Sequence, residues 1–441
     1  MILSTFLLAG IVSGSTYPIS LGKRADSTDN NATLAAYTTH YIPVVNLTIG
    51  TPGVNVRASL DFLSGDTLVE DVKAPAFADY TFQANKSQTL VKGQSVQYNL
   101  PLLNRTLNAN VVNDKLALDG WSSDNSSFLF LETTDSYGDL APFSASLGLG
   151  YRSQHVDPVW KSWTKPQLGL YLKRTKATGW TSTVLSAGGR EIAPTPETNN
   201  IGSISIGSSD PELGGNAHQV SVNTTDNGEW LIECSKVQMS GQERALSLPK
   251  SAISVMPSME GIWLPPVVID NLMAGIEGAN KWNVSQRVSA GTRWTLPCNT
   301  SAQLTFGLGG KDFVLDAADW MVEVPASDGD VVAADSGKCA ALLFETPEGA
   351  NARLGLAFLR TVYSVWDFAT PSIAFAALEQ DGDRLYNGSW KDAAPAQLSS
   401  VPITTTGAEF AEATSKDTGG AQPRMWSSAI VATALLSVVL L

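Results

Sequence analysis

One aspartate stands where hydrolytic chemistry would need a carboxylate. Leu60-Asp61-Phe62-Leu63-Ser64 places it at the end of an apolar, alternating run and ahead of a short turn. A carboxylate so placed can take a proton from water. Peptide hydrolysis by such groups needs a second carboxylate roughly 3 Å away, because two like charges that close share one proton and divide the acid and base roles. Val331-Val332-Ala333-Ala334-Asp335-Ser336-Gly337 has the same local grammar. The histidines (His40, His155, His218) and cysteines (Cys234, Cys298, Cys339) are scattered without ligand spacing, so neither a metal nor another cofactor is expected. The elements that must position Asp61 are legible: an apolar run over 41–49, a Gly50-Thr51-Pro52-Gly53 turn, and a second alternating run over 54–60. They read as strand, turn and strand, with the carboxylate at the strand end.

The 441 residues suffice for two lobes, each with its own core. Hydrophobic residues make up 43% and charged residues 16%, while 37 Gly and 22 Pro supply turns for a β-rich chain. A net charge of -13 argues against nucleic acid or an anionic membrane surface as partner.

Both ends carry processing grammar. Residues 1–14 read as a secretory signal peptide. Lys23-Arg24 reads as a kexin-type cut, with 15–36 as a short pro-segment or linker. At the other end, 381–420 is a stalk rich in Ser, Thr and Ala, and 421–441 ends in an apolar tail with no charge after it. That is the layout of a GPI-attachment signal, with Gly419 as the attachment residue and Asp417 or Ser415 as alternatives. The tail is shorter than the roughly 20 residues of a spanning helix. Nine sequons, at Asn31, Asn46, Asn85, Asn104, Asn125, Asn223, Asn283, Asn299 and Asn387, predict N-glycans on an extracellular chain tied to the plasma membrane or cell wall. In an oxidising compartment three cysteines leave one pair and one odd thiol. Cys298 with Cys339 would close a loop worth roughly 3–4 kcal/mol. Cys234, in an alternating run, reads as a small buried thiol.

In order, the motifs resemble those of the pepsin-like aspartic peptidases. The Asp61 loop resembles their Asp-Thr/Ser-Gly-Ser loop, keeping Asp61 and Ser64 but reading Phe62-Leu63 between them. Tyr98 stands at the place of the flap tyrosine, though Pro101 and a sequon at Asn104 replace the flap glycines. Ser146-Leu147-Gly148-Leu149-Gly150, Leu296-Pro297-Cys298, Leu354-Gly355-Leu356-Ala357-Phe358 and Ile373-Ala374-Phe375-Ala376 resemble later family motifs. The resemblance spans 41–377. It implies a mostly β, bilobal fold with a central cleft, a first lobe over 37–203, a second over 204–380, and a disulfide between Cys298 and Cys339. The GPI-type tail is similar to that of the fungal yapsin type.

The resemblance also implies a second catalytic aspartate ahead of Trp263-Leu264-Pro265, and none is there. Counting back puts Met256 at its place, or Val255 with a slip of one. Asp335-Ser336-Gly337 falls too late in the chain and reads as a turn between disulfide-flanking strands. Glu260 and Asp270 are the nearby carboxylates that would have to rescue the site. Two expectations follow. One is a monomeric cell-surface protein without peptidase activity, holding a peptide or cell-wall ligand in its cleft, with Asp61 vestigial. The other is an active acidic endopeptidase with an atypical second site.

Overall fold

The computed structural model describes residues 30–36, 43–71, 82–100, 105–118, 120–131, 145–172, 200–223, 228–259, 261–281, 294–323, 338–347 and 349–378. The signal-like start, Lys23-Arg24, the stalk, Gly419 and the apolar tail lie outside them.

The first lobe starts from the hairpin predicted around Asp61. Pro43–Ile49 pairs antiparallel with Val54–Asp61, from Val44 opposite Ser59 to Ile49 opposite Val54. Alternation sends Val56, Ala58 and Leu60 into the core, as the period of two requires. Gly50 turns the chain at φ 80°, and a Cβ there would come within 2.7 Å of Ser87 Oγ, so glycine is needed on both counts. Beyond this hairpin, Val91–Leu100 pairs with Arg105–Leu118, with a bulge between Lys92 and Ser95. Ser87 and Thr89 tie the base of this long hairpin down by donating to Asp114 at 2.7 and 2.6 Å.

The halves of the chain meet in one antiparallel sheet. Its order is Asn30–Ala36, Asn200–Ile206, Gln167–Leu172, Val362–Asp367, Ser372–Ala377 and His218–Asn223. Each half of the chain contributes three of these strands. Asn30–Ala36, a strand of 7 residues, lies in the segment expected to be linker ahead of Tyr37. The strand Asn200–Ile206 runs across the 203/204 position expected as the lobe boundary. Composition could not reveal either, because both strands are short, polar in part, and defined by partners far along the chain.

The second lobe is built around Leu231–Met239, Ala252–Val255, Leu304–Leu308, Lys311–Leu315 and Ala352–Leu354. The helix Pro266–Ala274 starts on Pro266, where the missing N–H costs nothing, and buries Val268, Ile269, Leu272 and Met273. Cys298 and Cys339 are bonded beside a small sheet of Asn280–Lys281, Trp294–Pro297, Lys338–Ala341 and Met321–Glu323. Cys234 is the free thiol; burial pushes it up to about 12 and keeps it protonated.

Aromatic rings close the seam between the lobes. Phe62 lies 4.4 Å from Trp366, and Trp366 meets Trp230 edge to face at 4.9 Å. Trp230 also packs on Tyr151 at 5.1 Å and on Phe368 at 5.4 Å. Two polar rungs cross the same seam: Trp230 Nε1 donates to the Leu149 carbonyl at 3.2 Å, and Tyr151 Oη donates to the Glu229 carbonyl at 3.2 Å. Trp230→Ala therefore removes both packing and a rung, and should cost about 3–5 kcal/mol of stability. Urea denaturation followed by far-ultraviolet circular dichroism measures it.

Candidate active-site cleft

Asp61 ends its strand directly beside Gly148 of the parallel strand Ala145–Gly148. Its Oδ1 accepts the backbone N–H groups of Leu63 at 2.8 Å and Ser64 at 3.4 Å, so the side chain caps its own turn. Burial outweighs these two hydrogen bonds and raises the Asp61 carboxyl to about 6. The carboxylate whose charge adds to this shift is Asp66, from the same loop.

Asp66 is the residue that sequence reading passed over. It is fully buried, and it accepts the N–H groups of Gln154 at 2.8 Å and of His155 and Val156 at 3.0 Å each. Ser64 Oγ accepts the Asp66 N–H at 3.0 Å. Asp66 thus bolts the Asp61 loop to the 150–156 loop. The available signal was an aspartate in a Ser-Gly-Asp turn just before an apolar run, the kind of carboxylate that organises backbone N–H groups. Gly65 permits the close approach, since a Cβ there would lie 2.7 Å from the Arg152 carbonyl oxygen.

Tyr98 lies on the long hairpin opposite Leu107 and is fully buried. Its hydroxyl has no hydrogen-bond partner among the described residues. Burial, then the charge of Asp61, push that phenol far above the ordinary tyrosine range, while the neighbouring Ser64 hydroxyl pulls the other way. The phenol therefore stays protonated.

Strand register and a shared Leu-Gly-Leu run together bear on the second-lobe position. Asp61 pairs with Gly148, so Leu60 pairs with Leu147 in the run Leu147-Gly148-Leu149. In the second lobe Val255 pairs parallel with Leu354 of the matching run Leu354-Gly355-Leu356. Matching the two runs sets Val255 against Leu60, with Met256 the next residue in the chain. Met256 is buried, donates its N–H to the Leu354 carbonyl at 2.8 Å, and accepts the Met259 N–H at 3.1 Å. A thioether cannot hold or share a proton at this position.

Of the carboxylates weighed as substitutes, Asp270 is paired with Lys281 at 2.8 Å on the surface. Glu260 and Asp335 lie outside the described residues, as do Asn104, Asn283 and Asn387; of Asn31 only the backbone is described. Asn46, Asn85, Asn125 and Asn223 are exposed, and Asn299 is half-buried. Among the described residues no group of His, Cys, Asp and Glu could hold a metal ion, and no helix is long and apolar enough to cross a membrane.

This fold and loop geometry coincide with a known family. The model of the eukaryotic aspartyl protease family matches residues 41–378. The chain belongs to the eukaryotic aspartyl protease family. It is 20% identical over 358 residues to Major aspartyl peptidase 1 of Cryptococcus neoformans var. grubii, a match covering 75% of this chain and 68% of that protein.

The Asp61 shift has a definite sign. Its folded value of about 6 lies above the unfolded 3.8, so the protonated form favours folding. That contribution is fully present below about 3.8 and is lost as pH rises through about 6. Asp61→Asn should therefore gain stability relative to wild type between pH 4 and pH 7, read from thermal denaturation of both proteins across that range.

Proposed function

We propose that this chain is a secreted, GPI-anchored, yapsin-like member of the family that has lost peptidase turnover and uses its inter-lobe cleft to bind a peptide or a cell-wall ligand. The reading is supported by Met256, which falls at the place of Asp61 when the two Leu-Gly-Leu runs and the strands beside them are matched. The family reaction needs one carboxylate to accept the proton of water while its partner protonates the scissile carbonyl. Asp61 can serve as the base, and a methionine supplies no acid. Phe62 fills the adjoining position with an aromatic ring packed on Trp366, so a hydroxyl that could lock a carboxylate pair is missing as well.

The anchoring and glycan parts rest on the apolar start, the C-terminal tail and the sequons, four of which fall on exposed asparagines. A glycosylated, anchored monomer needs no catalytic dyad to present a cleft at the cell surface. The competing reading is an acidic endopeptidase with a rebuilt second site, in which Asp61, still ionising near pH 6, acts with a carboxylate from another loop.

Purified protein should leave denatured haemoglobin and casein intact between pH 3 and pH 6, with and without pepstatin. Pepstatin-sensitive turnover that disappears in Asp61→Asn would establish the competing reading instead. Release of the protein from cells by a phosphatidylinositol-specific phospholipase tests the anchor separately.

A further inference from the structure

Three buried polar atoms without partners lie side by side on the second lobe. They are Ser254 Oγ, Arg353 Nε and Trp263 Nε1. Their adjacency follows from register: Arg353 is the direct partner of Ser254 across the parallel ladder and of Trp263 across the antiparallel one. Directly paired residues point to the same face of a sheet. The other face is accounted for by alternation, since Ile253, Val255, Ile262, Leu264, Ala352 and Leu354 are all buried in the core. The three polar side chains therefore share the opposite face, just before Met256.

The chemistry of the set is uniform. Arginine and the indole N–H donate only, and the serine hydroxyl can donate. Arg353 has no carboxylate within ion-pair distance among the described residues; Nη1 donates to Met259 Sδ at 3.8 Å, a weak acceptor. Glu229 acts on it from further off, and Asn351 Nδ2 donates to that carboxylate at 2.9 Å. Buried donors without acceptors are costly, and a desolvated cation more so unless an anion joins it. Trp263 stacks on Phe344 at 5.0 Å and 22°, which fixes the indole edge. Gly261 permits that stack, since a Cβ there would lie 2.1 Å from Phe344 Cε2. Arg353 and Trp263 are each half-buried, so part of each side chain reaches solvent although the three donor atoms themselves do not.

We infer that Ser254, Arg353 and Trp263 form an oxyanion-binding site that takes a carboxylate group of an acidic ligand. The guanidinium supplies the charge, while the serine hydroxyl and indole N–H fill further lone pairs of the carboxylate. The site contains no residue of the Asp61 loop, so it stands or falls independently of whether the protein cleaves peptides.

Titration of the full-length protein with glutarate at pH 6, at ionic strength held constant with sodium chloride, tests the site. Isothermal titration calorimetry and tryptophan fluorescence should both saturate with glutarate and not with the uncharged diamide. Arg353→Met should abolish saturation; Ser254→Ala and Trp263→Phe should each weaken binding about tenfold, and Asp61→Asn should leave it unchanged. If Arg353→Met does not fold, the two milder variants decide. Wild type failing to saturate beyond the chloride control, or binding glutarate no tighter than Ser254→Ala and Trp263→Phe do, overturns the inference.

Discussion

The seam of aromatic rings between the lobes is the contact on which the rest depends. The buried apolar residues of both lobes join in one continuous cluster, so the packing across the seam sets how the lobes meet. Phe62 on Trp366, Trp366 on Trp230, and Trp230 on Tyr151 and Phe368 make a continuous path from the Asp61 loop into the second lobe. Edge-to-face rings bury large areas and favour defined angles, so they hold orientation as well as distance. The rungs from Trp230 to Leu149 and from Tyr151 to Glu229 fix the register of the same contact. The antiparallel sheet beneath, shared equally by both halves of the chain, supplies the base on which the seam sits.

An apolar seam has an electrostatic consequence at the cleft. A carboxylate set against rings and aliphatic carbon loses solvation with no cation to offset it, and Asp61 titrates near 6 for that reason. The two N–H groups that reach Oδ1 come from its own turn and serve the loop's shape as much as the charge. Asp66 takes the opposite course: it is more deeply buried, yet it is ringed by N–H donors from the 154–156 segment and acts as a structural bolt. Two aspartates in one loop thus divide into one that shapes the loop and one that the loop displays.

The second lobe repeats the strand architecture of the first but not its polarity. Parallel pairing ends at Asp61 in the first lobe and at Val255, one residue before Met256, in the second. Beside it, the strand face carries donors in place of acceptors, with Arg353 between Ser254 and Trp263.

Much of the fold was legible in the sequence because its determinants are local. Alternating burial marks strands, Gly50 and Pro266 mark a turn and a helix start, and the order of motifs carried the lobes and the Cys298–Cys339 bond. Asp61 was legible for the same reason: it ends an apolar run. The match of Met256 with Asp61 rests on counting residues back from Trp263-Leu264-Pro265, a count that local sequence allows. What the linear chain could not express was pairing between distant segments. Strand Asn30–Ala36 is defined by its partner near residue 200, Asp66 by N–H groups far along the lobe, and the Ser254–Arg353–Trp263 set by ladders joining residues about a hundred positions apart. Local pattern records which face a residue prefers; only the closed sheet decides which other residues share that face, because hydrogen-bond register is set by the whole fold and not by neighbours in the chain.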